Sequence, residues 1–211
     1  MKKAFDETTV GAALTAAIDL IYAGLLWCLC AIPVFTLGSA STALYYATVK
    51  SVRHERGHVT SAFFSSFKAN FGISLKIWLL MLAYLLIGVL DIYATGRMGL
   101  GKGTLVWYLL RILLAVPLLI GVWVFPYISR FENNVKNTLR FAVLMALKYP
   151  GKTLLMSIEL ALIVLVCWLE PLLIPLFPGI CTLIMSYTAE PVLKSVTSTA
   201  EDHNEDQWYN E

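Results

Sequence analysis

Long apolar runs separated by short charged segments constrain this chain more than any other feature of its sequence. Of its 211 residues, 58% are hydrophobic and 14% are charged, whereas soluble domains carry about 25% charged residues. The chain is therefore too apolar for a soluble core, and in a bilayer its backbone polar groups must be bonded within helices. The composition predicts an all-α polytopic transmembrane helix bundle, with residues 1–190 forming a single integral-membrane domain.

The apolar runs divide the chain into six predicted membrane helices. Each is near the ~20 residues that a helix needs to cross the hydrocarbon core, and they cover residues 10–32, 36–52, 73–95, 104–128, 153–169 and 172–189. The second run is at the lower limit of length for a crossing, so the alternative is five crossings with a re-entrant second helix. Pro117 lies inside the fourth run and predicts a kink there.

Two further segments combine an apolar stripe with a polar face at helical spacing. In the first, Phe63, Phe64 and Phe67 are interspersed with serine and lysine, and the second covers residues 133–148. Helices with this pattern lie in the membrane interface. We therefore expect two amphipathic interfacial helices.

Lysine and arginine are concentrated in two regions of the chain. Residues 50–76 and 129–152 hold five each, and two predicted spans separate them. Both regions should face the cytoplasm, because positive residues favour that side. The C-terminus is then cytoplasmic, and so is the N-terminus if the second helix crosses. Residues 191–211 are predicted to form an acidic cytoplasmic tail that is partly disordered.

The stretch from Leu25 to Lys50 predicts a tight hairpin of two apolar helices. Pro33 lacks a backbone N–H and disfavours helix at the residue before it, so we expect the first helix to end there. The second helix begins with small residues, among them Gly38, Ser39, Ala40 and Ala43. Small side chains let membrane helices approach closely, so the second helix is predicted to pack tightly against its neighbours.

Four charged residues lie inside predicted spans, and charges in a bilayer are costly enough to mark functional candidates. They are Asp19, Asp91, Arg111 and Glu159. Asp91 and Arg111 lie in the outer halves of consecutive antiparallel spans and are predicted to pair. Asp19 and Glu159 fall in the inner half, within reach of a lysine such as Lys76 or Lys152. These residues either fix helix register, or Asp19 and Glu159 line a substrate or proton path.

Residues 54–58, His-Glu-Arg-Gly-His, match the H-E-x-x-H signature of zinc metalloproteases. On a helix the two histidines lie one turn apart and bind the metal, while the glutamate acts as general base. Here the match lies in a loop or at a helix end, and no third ligand follows at a recognisable spacing. His54 and His58 are therefore weak metal candidates, and a solvated charged turn is the preferred interpretation.

Other catalytic signatures are missing from the sequence. It contains neither a phosphate-binding G-x-x-x-x-G-K-[ST] loop nor a G-x-S-x-G nucleophile elbow. The sequence therefore predicts a protein that is not an enzyme, with no cofactor, no resident metal and no nucleic-acid partner.

The hairpin and the residues after it resemble a known family. The resemblance is carried by the run LLWCLCAIPVFTLGSASTALYY, the basic Lys50-Ser51-Val52-Arg53 and the segment Phe67-Lys68-Ala69-Asn70-Phe71. These residues are similar to the YesL-like family of bacterial integral membrane proteins, which has no known biochemical activity and is often encoded beside genes for carbohydrate uptake and glycan degradation. The resemblance implies a multi-pass protein of the bacterial cell membrane.

From this resemblance we expect a non-enzymatic accessory protein of carbohydrate uptake, such as an auxiliary subunit of a sugar ABC transporter. The candidate contact surfaces are the small-residue hairpin and the cytoplasmic helices, with Phe63, Phe64, Phe67, Arg140 and Phe141 as docking residues. The lipid bilayer is the other expected partner. The alternatives are a small stand-alone transporter that uses Asp19 and Glu159 and, more distantly, a membrane metalloprotease that uses His54 and His58.

Overall fold

The computed structural model describes residues 2–98, 104–114, 116–170 and 174–197, and the regular elements within these ranges are all helical. In chain order they are α1 (Lys2–Ala31), a 3₁₀ turn (Val34–Thr36), α2 (Leu37–Ala47), a π-helical turn (Thr48–Arg53), α3 (Val59–Met98), α4 (Leu105–Leu113), α5 (Val116–Ile128), α6 (Val135–Lys148), α7 (Pro150–Leu169) and α8 (Phe177–Thr197). The all-α prediction is confirmed for this part of the chain.

The hairpin forms as the sequence predicts. Helix α1 ends at Ala31, and Pro33 adopts an extended conformation with φ −75° and ψ 106°. The chain then turns through the 3₁₀ segment, where the N–H of Thr36 donates to the carbonyl of Pro33 at 2.8 Å. The Thr36 hydroxyl also lies within hydrogen-bond distance of the carbonyl oxygen of Cys30, which satisfies one of the last free carbonyls of α1.

Helix α2 lies at the centre of the bundle. Eight of its 11 residues are buried, and it contacts α1, α3, α5 and α8. A Cβ added at Gly38 would lie 2.6 Å from the Cβ of Trp78 on α3, so glycine is required for this approach. The hydroxyls of Thr42 and Ser74 are 3.0 Å apart across the same contact. The prediction that the small residues permit tight packing is thus confirmed.

Helix α3 joins two segments that the sequence analysis treated separately. Its 40 residues correspond to a length of about 60 Å, twice the ~30 Å thickness of the hydrocarbon core. The predicted amphipathic segment is the first part of this helix and the predicted span is the second. Phe63, in the first part, is fully buried against α1 and α2.

The predicted fourth span is divided into α4 and α5. Leu114 forms a turn after α4, and Pro117 is the second residue of α5, where a proline's missing N–H removes no helical hydrogen bond. The helix therefore breaks before Pro117 and does not kink at it. Trp123 of α5 is fully buried and its indole N–H donates to the Thr153 hydroxyl of α7 at 2.8 Å.

Helix α8 extends further than the sequence analysis expected. It continues to Thr197, and Val192 and Leu193 are buried in the largest apolar cluster of the molecule. The boundary predicted at residue 190 is therefore wrong, because the residues just after it belong to the packed bundle. Residues 198–211 of the predicted tail lie outside the described residues.

Three helical segments among the described residues are long and apolar enough to cross a membrane: Gly11–Ala31, Val59–Gly96 and Pro150–Leu169. Large hydrophobic side chains are exposed along them, including Ile18, Leu25, Leu86, Leu90, Leu162 and Leu165. Contiguous apolar surface on this scale marks contact with lipid or protein, and three apolar helices favour a lipid bilayer.

Two glycines set the crossing of α1 and α8. A Cβ added at Gly24 would overlap the carbonyl oxygen of Pro175, and one added at Gly179 would overlap the carbonyl oxygen of Leu20. Each obstructing atom is backbone, which cannot move aside as a flexible side chain can. Helix α1 is thus in direct backbone contact with α8 and with Pro175, which precedes it.

We predict that Gly179→Ala destabilises the protein, since overpacked contacts typically cost about 1–3 kcal/mol. The measurement is thermal unfolding of the purified protein in one detergent. Gly72→Ala is the matched control, because a Cβ at Gly72 meets nothing within 4 Å and alanine favours helix by up to ~1 kcal/mol. A Gly179→Ala protein as stable as the Gly72→Ala protein would contradict the contact.

Candidate functional site

The most strongly buried charges in the described residues form an ion pair between Arg130, just after α5, and Glu190 of α8. The side chains of Arg130 and Glu190 are 1% and 2% exposed. The hydroxyl of Tyr45, on α2, donates to the other carboxylate oxygen of Glu190 at 2.8 Å. One carboxylate therefore joins three segments that are far apart in the sequence.

A second arginine extends this cluster. The guanidinium of Arg53 donates to the carbonyl oxygen of Ser186 at 2.9 Å and lies 4.5 Å from the ring centroid of Tyr187. Arg53 ends the π-helical turn, where the N–H of His54 reaches back five residues to Val49 at 3.1 Å. Because this turn is wider than an α-helical turn, it directs Arg53 towards α8. The segment formed by α2 and the π-helical turn therefore contacts α8 twice, through Tyr45 and through Arg53.

The cost of burying two charges makes the ion pair selective for one arrangement of the helices. Desolvating two charges is expensive, and the pair is tolerated only when good geometry and further hydrogen bonds compensate that cost. The Tyr45 hydroxyl supplies one such bond. Any other arrangement of α2, α5 and α8 would leave a buried charge without this compensation, so the pair favours one register of these helices.

Positive charge dominates the surroundings of the ion pair. Burial and then the charges of Lys194, Arg53, Arg130 and Arg56 lower the pKa of His54 below its ordinary value. The histidine therefore stays neutral to lower pH than it would in an unfolded chain. This end of the bundle is basic even after Glu190 compensates one arginine.

The H-E-x-x-H match does not have the geometry that its chemistry requires. Residues 54–58 form a loop rather than a helix, with left-handed backbone at Glu55 (φ 52°) and Gly57 (φ 77°). His54 and His58 are thus not presented one turn apart on a helix. Among the described residues no three histidine, cysteine, aspartate or glutamate side chains are grouped to hold a metal ion.

The predicted ion pair between Asp91 and Arg111 is not formed. Arg111 instead lies over the ring of Trp107, 3.5 Å from its centroid, and donates to the Trp107 carbonyl at 3.3 Å. Both contacts are within one turn of α4. The guanidinium has a hydrogen-bond acceptor in its own helix and a favourable contact with an aromatic face. It therefore does not need the carboxylate on the neighbouring helix.

Asp19 and Glu159 lie on different helices that both contact α8. Asp19 of α1 is half-buried and precedes Leu20, whose carbonyl oxygen faces Gly179 of α8. The carboxylate of Glu159, on α7, is buried beside Cys181 of α8. The described contacts do not bring the two carboxylates together.

The predicted docking residues divide into exposed and internal ones. Phe64 and Arg140 are exposed, and Phe67 is half-buried. Phe63 is fully buried, and the ring of Phe141 stacks on Tyr127 with centroids 3.9 Å apart. Phe63 and Phe141 are thus packing residues, which corrects their assignment as contact residues.

The sequence does not predict the central ion pair. Arg130 belongs to the basic region 129–152, and Glu190 is the last residue of the predicted integral-membrane domain. One local signal was available for Glu190: it lies between the apolar run of α8 and the apolar pair Val192–Leu193. A single acid flanked by apolar residues on both sides is typical of a helix that continues through it.

The fold and this site define a class of protein: a helical membrane protein whose buried charges connect its helices. Residues 20–92 match a family model described as "Protein of unknown function, DUF624". This range includes the last part of α1, the hairpin and most of α3. The resemblance to the YesL-like family is thus confirmed for this part of the chain. No curated protein and no solved structure matches the chain.

We predict that Glu190→Gln and Arg130→Met each destabilise the protein by about 3 kcal/mol, because each leaves one buried charge uncompensated. The double variant Arg130→Met/Glu190→Gln should cost less than the sum of the two single changes. The measurement is unfolding in mixed micelles with an increasing fraction of denaturing detergent. Additive single effects would show that the two residues do not act as a pair.

A second prediction concerns pH. The lowered pKa of His54 means that the unfolded chain binds the proton more readily, so the associated stability is present above about pH 6.5 and is lost as the pH falls. Thermal unfolding at pH 7.5 and pH 5 should therefore depend less on pH in His54→Gln than in the wild type. His58→Gln, at an exposed position, is the control. Unchanged pH dependence in His54→Gln would contradict the argument.

Proposed function

We propose that this protein is a non-enzymatic membrane accessory protein of carbohydrate uptake, acting as an auxiliary subunit of a sugar ABC transporter. One structural observation supports the non-catalytic part of the proposal: the two most deeply buried charges, Arg130 and Glu190, join helices. Glu190 holds Arg130 and Tyr45, and Arg53 holds Ser186. The association with carbohydrate uptake is supported by the resemblance to the YesL-like family.

The proposed topology has six crossings in a bacterial cell membrane, with both termini in the cytoplasm. The distribution of lysine and arginine supports this orientation, because positive residues favour the cytoplasmic side. Arg53, Arg56 and Arg130 are gathered around His54, which supports a cytoplasmic position for that end of the bundle. In this arrangement α6 and the start of α3 lie at the cytoplasmic interface.

The proposed contact surface for the transporter is the outer face of the first part of α3. Phe64 is 40% exposed there, and Ser65 and Lys68 are exposed beside it. An exposed aromatic ring with polar neighbours is typical of an interface anchor. The hairpin residues, by contrast, are mostly buried inside the bundle and are not proposed as a contact surface.

A stand-alone transporter is the alternative, with Asp19 and Glu159 on the transport path. The described contacts of these residues do not bring the two carboxylates together, which does not favour a shared path. The two proposals differ in a flux assay with reconstituted protein. Transport by the protein alone that is lost in both Asp19→Asn and Glu159→Gln would support the alternative and contradict the accessory role.

We predict that a photo-crosslinking amino acid at position 64 captures a sugar-transporter subunit in native membranes. The same crosslinker at Leu86, which is exposed on the second part of α3, should react mainly with lipid and serves as the matched control. Crosslinked proteins are identified by mass spectrometry. Phe64→Lys should reduce co-purification of the captured subunit several-fold. Crosslinking of lipid alone at position 64, with no transporter subunit in a gentle-detergent pull-down, would contradict the proposal.

A further inference from the structure

The corner between α6 and α7 presents apolar and basic side chains side by side. Leu144 and Leu147 of α6 are 61% and 74% exposed. The exposed apolar surface continues on α7 with Leu154 and Leu155, which belong to a segment long and apolar enough to span a membrane. The two surfaces adjoin where the chain turns at Tyr149, so the exposed end of α6 lies beside the lipid-facing surface of α7.

Basic side chains surround this corner without a nearby acid in the sequence. Residues 133–152 contain four lysines and arginines and no aspartate or glutamate. Lys148 and Lys152 converge on one aromatic ring, with their ammonium nitrogens 5.4 and 5.6 Å from the ring centroid of Tyr149. Two ammonium groups held at one ring provide a concentrated positive charge with several hydrogen-bond donors.

The outer face of α6 also carries a shallow groove. It is lined by Leu139, Arg140, Val143 and Leu144. Three of these residues are aliphatic and the fourth is a cation. The same combination of a hydrocarbon surface and an adjacent positive charge is therefore repeated along the helix.

We propose that this corner binds acidic phospholipids of the bilayer. Leu144 and Leu147 lie at the boundary of the acyl chains, and Lys148 and Lys152 bind the headgroup phosphate beside Tyr149. An acidic lipid satisfies both halves of the surface, because it carries a phosphate next to hydrocarbon. The position of the corner next to α7 favours a lipid over an acidic protein. A bilayer that contacts Leu154 and Leu155 also reaches the corner, so no other partner is needed to cover it.

This assignment does not depend on a transporter partner. It requires only that α7 is in a bilayer. A helix with basic residues and exposed leucines lies in the interface plane, and each lysine near an anionic surface strengthens binding. The corner would thus anchor α6 on the membrane and fix the depth at which α7 enters it.

The test is native mass spectrometry of the full-length protein with defined lipids. Purified protein in detergent is titrated with phosphatidylglycerol and with phosphatidylcholine. The wild type should retain phosphatidylglycerol preferentially, and Lys148→Gln/Lys152→Gln should weaken that retention roughly tenfold or more. The charge-matched control is Lys68→Gln/Lys76→Gln, at two exposed lysines of α3, which should keep the preference. Circular dichroism and gel filtration establish that each variant is folded.

Two further experiments distinguish binding of a lipid from binding of a free anion. Leu144→Ser/Leu147→Ser keeps both lysines and should also weaken retention of phosphatidylglycerol. Inorganic phosphate, added at millimolar concentration, should not displace the lipid from the wild type. The proposal is overturned if the Lys148→Gln/Lys152→Gln protein binds as the wild type does, if the control loses as much, or if inorganic phosphate displaces the lipid.

Discussion

A single buried carboxylate constrains the arrangement of this bundle more than any other group. Glu190 pairs with Arg130 and accepts the Tyr45 hydroxyl, so α8, the end of α5 and α2 must meet in one geometry. In a low-dielectric interior the cost of losing either partner is high. The pair therefore favours one register of the helices. In the correct assembly the two charges compensate each other, whereas in an incorrect assembly one of them is left alone in an apolar environment.

Close packing of small residues complements the ion pair. Lipid tails are as apolar as leucine, so membrane helices associate through packing and hydrogen bonds rather than through exclusion of water. The contacts at Gly38, Gly24 and Gly179 bring α2 against α3 and α1 against α8. Together with the ion pair they hold a buried centre around α2 and leave the outer faces of α1, α3 and α7 for lipid. A framework of this kind is suited to presenting surfaces, which is why the proposed roles are located on α3 and α6.

Local signals predicted the parts of the fold that depend on local chemistry. Apolar runs indicated the helices, Pro33 ended α1, and Gly38 marked a close approach. The sequence did not reveal that α3 is continuous, because the polar residues at its start resemble those of a separate interfacial helix. The Arg130–Glu190 pair depends on a contact across 60 positions, which no local pattern encodes. Opposite charge and similar depth in consecutive spans predicted a pair between Asp91 and Arg111, whereas Arg111 lies over the Trp107 ring of its own helix.

The central claim is that Glu190 fastens α8 to the rest of the bundle, and a distance measurement tests it most directly. Spin labels at Ile184 on α8 and Leu80 on α3, both exposed, would be introduced into a variant without native cysteines and studied by double electron–electron resonance in a reconstituted bilayer. We expect a single narrow distance distribution for the parent protein and a broadened or multiple distribution for Glu190→Gln. An equally narrow, unshifted distribution in Glu190→Gln would contradict the account, because α8 would then be held in place without the ion pair.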